Sequence, residues 1–222
     1  MTDVVLGGLW LGLLCGGLAA CVVAHALGLA STYVRDLLHV GAGVWILGWP
    51  YWHGGAVPLA IVVMVAVATA VLPLVAAHNR SAARLVHSVT NGDEHWTGLV
   101  HYTAVYAAFT AVALVIDPFP AAAALLALSL GDGLGGAVGR NFGRHRYQFP
   151  GAKPKSLEGS LVVLFAAAAG ALVAAHLFDR DIGALTALAI GSIASLSEAV
   201  APRSTDNLLV PLTVWLAATL AT

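Results

Sequence analysis

An all-α, polytopic integral membrane bundle of seven or eight transmembrane helices is the fold this sequence predicts, and three observations predict it. The 222 residues are 59% hydrophobic and only 9% charged, with a mean hydropathy of +0.88, where a soluble domain is about 25% charged. Apolar runs recur at roughly the 20 residues that a helical span requires, and helices satisfy their own backbone groups in lipid. The basic residues gather in alternate connections between these runs. The net charge of −1 gives no reason to expect nucleic acid as a partner. Cys15 and Cys21 both fall inside the first run, so neither a disulfide framework nor a zinc site is indicated.

Taken in order, the first run covers 4–29. Asp3 precedes it and no Lys or Arg does, so it lacks the basic start of a cleaved signal peptide and is expected to be a retained span. Further spans are placed at 37–52, 56–77, 96–116, 119–139, 157–178, 182–200 and 207–221. The second and the last are short, which keeps seven spans open beside eight. With eight, one side receives Arg35, Arg80, Arg84, Arg140, Arg144, Arg146, Lys153, Lys155 and Arg203, and the other receives only Arg180. The positive-inside rule then puts the basic side in the cytoplasm and both termini outside. The outer turns at 50–55, 117–118 and 179–181 are short, so any chemistry is expected at the cytoplasmic face. The sequon Asn79-Arg80-Ser81 falls on that face and is expected to go unused. No internal repeat or second domain is evident; residues 1–222 read as one transmembrane domain with a candidate active-site loop at about 131–160.

That loop region, GDGLGGAVGRNFGRHRYQFPGAKPKSLEGS, holds half of the chain's ten basic residues and one carboxylate inside an apolar span, Asp132. The acid comes about seven residues before its span ends, roughly 10 Å below the helix mouth. An ionisable side chain at such depth is a functional hypothesis by default. Gly135, Gly136 and Gly139 share its helical face, a strip where a ligand or another backbone approaches closely. Packing alone is the alternative, since Gly131, Gly135 and Gly139 are spaced as in small-residue helix contacts; it explains the glycines and not the acid. Gly131, Gly133 and Gly136 also fit a G-x-G-x-x-G pattern, but no strand precedes it, so a dinucleotide fingerprint is rejected.

Arg140, Lys153 and Lys155 offer phosphate ligands, Arg as a planar fork and Lys as a point charge. The competing reading of the loop is a lipid anchor. Ser156 is either a phosphate ligand or the cap of the next helix, and Glu158 sits in that helix's first turn. Glu198 lies near the end of its span, while Asp206 and Asn207 open the last one after Arg203. Oxygen ligands of this kind, shared with substrate phosphates, suit Mg²⁺. Earlier in the chain, Arg35 and His39 are spaced i, i+4, and Glu94 stands just before Trp96, itself a natural interfacial anchor. The other histidines show no metal-ligand spacing.

With these residues, 131–160 resembles the central motif of the CTP-dependent polyprenol kinase family, which contains dolichol kinase and phytol kinase. The most specific parts are G-D-G-x-x-x-x-V-G-R-x-F-G, K-S-L-E-G-S and D-N-L-x-V-P; Arg35…His39, Glu94-His95-Trp96 with Tyr102, and Glu198 through Pro211 extend the likeness over nearly the whole chain. Two positions depart from it. Asp36 follows Arg35, and Asn141 follows Arg140, where a second basic residue is common.

The resemblance implies transfer of the γ-phosphoryl group of CTP to a long isoprenoid alcohol such as phytol, geranylgeraniol or dolichol. It implies Asp132 and Asp206 on Mg²⁺. It also implies phosphate contacts from Arg35, Arg140, Lys153, Lys155, Ser156 and Arg203, and a glycine strip of Gly133, Gly135, Gly136 and Gly139 admitting the triphosphate. Glu158 or Glu94 would accept the alcohol's proton, with His39, Glu198 and Asn207 in support. The wider superfamily includes phosphatidate cytidylyltransferase, with a similar acid, basic loop and K-x-x-E-G. A CDP-lipid synthase is therefore the first alternative, and a transporter or scaffold without nucleotide the second.

Overall fold

The computed structural model describes residues 2–90, 96–202 and 205–222. Its helices are α1 (Asp3–Ala26), α2 (Ser31–Ala42), α3 (Val44–Leu47), α4 (Ala56–Ala76), α5 (Arg80–Val89), α6 (Thr97–Val115), α7 (Pro118–Leu126), α8 (Gly133–Phe142), α9 (Leu157–Leu177), α10 (Ala184–Val200) and α11 (Asp206–Leu220). Five helical stretches are long and apolar enough to cross a bilayer: Asp3–Ala26, Ala56–Ala76, Thr97–Val115, Pro118–Phe142 and Leu157–Leu177. α10 and α11 are apolar but shorter. The all-α membrane class therefore holds; by length and composition five stretches of the described residues qualify as spans, beside the shorter apolar α10 and α11, where seven or eight were expected.

The expected span at 37–52 is where the two counts part. The chain is helical from Ser31, but it breaks at Gly43 into the single turn α3 and a 3₁₀ turn at Trp49–Tyr51. A side chain at Gly43 would meet the Ser129 hydroxyl, and one at Gly48 would enter the Trp10 ring. The segment thus gives up regular helix to let neighbouring elements approach. A second departure is α5, which lies in what the hydropathy pattern marks as a connection. Asn79 starts it, its Oδ1 accepting from the backbone N–H groups of Ser81 and Ala82 at 2.9 and 3.1 Å.

Pro118–Phe142 is the axis of the bundle. Two-thirds of its apolar window is buried, against 6% for α4 at the periphery. Phe119 and the run Ala121–Ala124 are wholly enclosed, and the alanines let α9, α11 and α6 pack closely around it. The axis is not one regular helix. Ala127–Asp132 winds as a π-helical turn between α7 and α8, a local widening that recurs at functional sites. It ends on Asp132.

α8 and α9 meet along glycine. A Cβ built on Gly135 would overlap the Val163 side chain and lie 3.2 Å from the Gly159 carbonyl oxygen. Gly135→Ala is therefore expected to destabilise the protein by about 2 kcal/mol, the usual cost of overpacking a tight contact. A thermal melt in detergent measures it, and an unchanged midpoint would show that the two helices slide apart without penalty.

Between α8 and α9 the loop forms a short antiparallel hairpin, which an all-helical reading does not anticipate. Arg146–Tyr147 pairs with Lys155–Ser156 in the register Arg146↔Ser156 and Tyr147↔Lys155. Ala152 bridges to Pro202, seating the hairpin on the connection before α11. The hairpin thereby carries its cations over the bundle mouth.

Candidate active site

Titratable side chains from four parts of the chain converge on one cleft of about 520 Å³ at the mouth of the bundle. α2 contributes Arg35 and His39. The π turn and α8 contribute Asp132 and Arg140. The hairpin contributes Arg146, Lys153 and Lys155, and the ends of α10 and α11 contribute Glu198 and Asp206.

Asp132 is anchored first. Its Oδ2 lies 2.7 Å from Nδ1 of His39, whose side chain is only 5% exposed while that of Asp132 keeps 28%. His39 is itself held in place: its ring stacks on Tyr102 with centroids 4.1 Å apart. The Tyr102 hydroxyl lies 3.1 Å from the His39 carbonyl and 3.3 Å from the Tyr106 hydroxyl, with one proton to share between them. One carboxylate oxygen of Asp132 is thus engaged by protein, and the group still reaches the cleft.

Lys155 and Glu198 form an ion pair at the cleft floor. Burial pulls the Lys155 ammonium down, but Glu198, with Asp132 and Asp206 beyond it, outweighs that effect and leaves it above its ordinary value. The lysine therefore stays charged, and its field is shared among three carboxylates. Asp206 opens α11, and the Asn207 side-chain amide donates to the Gly98 carbonyl at 2.8 Å, tying α11 to α6.

Arg140 is ion-paired with Asp36, its guanidinium 5.4 Å from the centre of the Tyr33 ring. The Tyr33 hydroxyl donates to Oδ1 of Asn141 at 2.6 Å. The two departures from the family pattern, Asp36 and Asn141, thus belong to one seam between α2 and α8. Asp36 supplies the counter-charge to Arg140, and Asn141 supplies an acceptor to Tyr33.

Several sequence-based assignments change. Glu158 does not line the cleft. Its carboxylate accepts from the backbone N–H groups of Arg144 and His145 at 3.1 and 3.3 Å and sits 2.7 Å from Nδ1 of His145. It fastens the loop and is poorly placed to take a substrate proton. The glycine strip is mostly filled by protein. A Cβ at Gly133 would press on Val40 and the Asp36 carbonyl, one at Gly135 on α9, and one at Gly139 on the Ser156 hydroxyl at 3.2 Å. Gly135, Gly136 and Gly139 still line the cleft, and of these Gly136 has the most room, a side chain there meeting first the movable Arg140 guanidinium at 3.1 Å.

Ser156 caps α9, its hydroxyl accepting from the Gly159 N–H at 3.2 Å, while also lining the cleft. Glu94 and Arg203 lie outside the described residues. Sequence reasoning gave no site role to Asp36, read as a departure from the family pattern, to Arg146, counted among the loop's cations, or to Tyr33. Asp36 had a signal, an acid beside Arg35 on a short helix; the others had none beyond composition.

Among the described residues no cluster of three or more His, Cys, Asp or Glu side chains is arranged to hold a metal by itself. The donor set suits an ion that keeps water and takes substrate oxygens, since Mg²⁺ is usually bound through one or two carboxylates plus phosphates. The floor is acidic and the rim cationic. That arrangement accommodates a metal–polyphosphate complex in a space within the range of small-molecule sites.

No protein-family model matches the chain, and no solved structure matches it. It is 30% identical to the phytol kinase of Synechocystis sp. over 189 residues, which cover 80% of this chain and 74% of that protein. The likeness therefore covers most of both chains. The chain belongs to the polyprenol/phytol kinase family.

Proposed function

We propose that the protein transfers the γ-phosphoryl group of CTP to the hydroxyl of an isoprenoid alcohol at the cytoplasmic face of a membrane. The observation that carries this reading is the pairing of an acidic floor, Asp132, Glu198 and Asp206 with Lys155 among them, with a cationic rim, Arg35, Arg146 and Lys153, in one cleft. Kinship with a phytol kinase supports the acceptor class, and the resemblance of the loop motif supports CTP. The positive-inside distribution supports the face.

Phosphoryl transfer depends mostly on positioning and on neutralising charge. In this proposal Asp132 and Asp206 hold Mg²⁺, which when bound neutralises the nucleotide's phosphate oxygens. Lys153, Arg146 and Arg35 neutralise phosphate oxygens from the rim. Lys155, anchored by Glu198, points its charge from the floor, and Arg140 reaches phosphate by leaving Asp36. The alcohol oxygen attacks the γ-phosphorus, the bond to the bridging oxygen breaks, and CDP departs. Of the two carboxylates considered for the alcohol's proton, Glu158 is committed to the loop backbone, which leaves Glu94, just ahead of the cleft residue Trp96. The acceptor's chain stays among lipid tails while its head enters the cleft.

Product analysis tests the reading. Purified protein incubated with labelled CTP, Mg²⁺ and a panel of phytol, geranylgeraniol and dolichol is expected to yield CDP and an isoprenyl monophosphate. Pyrophosphate and a CDP-lipid from a lipid phosphate would identify a cytidylyltransferase instead. No nucleotide turnover with any acceptor would sink both.

A further inference from the structure

We propose that α5 is a docking surface for the phosphate headgroups of anionic lipids in the leaflet that borders the cleft. The inference stands apart from the kinase reading, because it rests on a helix outside the catalytic constellation.

α5 sorts its residues sharply. Arg80, Arg84 and His87 fall on one face at i, i+4 and i+7, and all three are exposed. The opposite face packs on α4, α1 and α2, with Val89 buried in a small cluster beside Cys21 and Val34. The apolar side is thus already partnered within the bundle. What the helix offers outward is cationic.

The placement of that charge runs against the helix itself. The amino end of a helix carries partial positive charge and favours acids, yet the first turn of α5 has no acidic residue and begins with Arg80. Among the described residues, no carboxylate pairs with Arg80 or Arg84. A local rule is broken with no compensation among the described residues, the pattern expected where a residue serves an external partner.

Lipid phosphate is the partner the position favours. α5 follows α4, a candidate spanning helix, after only three residues, 77–79. That short link keeps the basic face close to where α4 leaves the bilayer. Basic segments next to spanning helices attract anionic headgroups, each Arg contributing about a fivefold gain in local concentration. Val89 and Thr90, at the other end of α5, line the cleft, so lipid bound here borders the site directly.

The test places a fluorophore on the basic face and asks which lipid reaches it. Ser81→Cys, in a Cys15→Ser, Cys21→Ala background whose melting temperature matches the parent, is labelled and placed in phosphatidylcholine nanodiscs. Trace doxyl-labelled phosphatidylglycerol is then compared with trace doxyl-labelled phosphatidylcholine as quencher. Phosphatidylglycerol is expected to quench about 25-fold more effectively, fivefold for each of the two arginines, with the excess lost in Arg80→Gln/Arg84→Gln and reduced by added salt. Melting temperature should not fall in that variant, since among the described residues neither side chain has an ion-pair partner to lose.

Equal quenching by the two lipids in the parent overturns the proposal, as does an excess that survives the double substitution. Loss of the excess on adding CTP alone would assign the surface to nucleotide phosphate instead. Because the readout is quenching and not turnover, it stands or falls independently of phosphoryl transfer.

Discussion

Asp132→Asn is expected to lower phosphoryl transfer by about a thousandfold while leaving the fold intact. The substitution keeps the shape of the side chain and its ability to accept a hydrogen bond from His39, 2.7 Å away, but removes the negative charge. Asp132 is 28% exposed, so the amide is not forced into a dry pocket and the helix should tolerate it. The charge is another matter. A group that holds a metal–phosphate complex at the point of reaction contributes on the order of 10²–10³ in rate by preorganised electrostatics. Losing the carboxylate also leaves Lys155 facing one fewer acid, since Asp132 and Asp206 both add to the field of Glu198 at that ammonium. Single-turnover transfer from labelled CTP, beside a thermal melt, separates the two effects. Normal turnover with an unchanged melt would remove Asp132 from the mechanism; lost turnover with a collapsed melt would make it structural.

How much of this was legible beforehand follows from what each residue's neighbours reveal. The membrane class and most helix positions follow from composition and run length, and the observed ends of α4 and α9 fall within a residue of those expected. Asp132, Lys155, Glu198 and Asp206 were readable because charge inside or beside an apolar span is costly. They meet in one cleft. The π turn was not readable, because its residues, Ala-Leu-Ser-Leu-Gly-Asp, differ little from those of an ordinary helix. Glu158 was misjudged for a related reason: the motif gives its spacing but not its direction. The hairpin turns it toward the backbone of Arg144 and His145. The glycine strip had two competing explanations in sequence. The contacts of Gly135 and Gly139 with α9 and Ser156 favour packing at those positions. Asp36 and Asn141 looked like lost charge along the chain, whereas across the α2–α8 seam they are partners of Arg140 and Tyr33.

The pair at the cleft floor gives the second large expectation, and its asymmetry is the informative part. Lys155 and Glu198 side chains are 18% and 7% exposed, and removing one member of such a pair leaves an uncompensated buried charge at a cost of about 3–5 kcal/mol. The two removals are not equivalent here. Glu198→Gln leaves Lys155 still facing Asp132 and Asp206, so the expected loss sits below that range, at about 2 kcal/mol. Lys155→Met leaves the buried Glu198 without its ion-pair partner and beside two further carboxylates, and the expected loss is about 4 kcal/mol. Lys155→Met/Glu198→Leu should recover most of the stability, because replacing a buried pair by apolar side chains is often neutral, yet it should remain inactive for want of the ammonium. Equilibrium unfolding of the three variants in detergent, with turnover measured on each, checks the order. Should Glu198→Gln cost more than Lys155→Met, the neighbouring acids are too far away to matter, and the shared-lysine picture of the floor fails. Should the double variant turn over substrate, Lys155 is a structural partner of Glu198 and not a phosphate ligand.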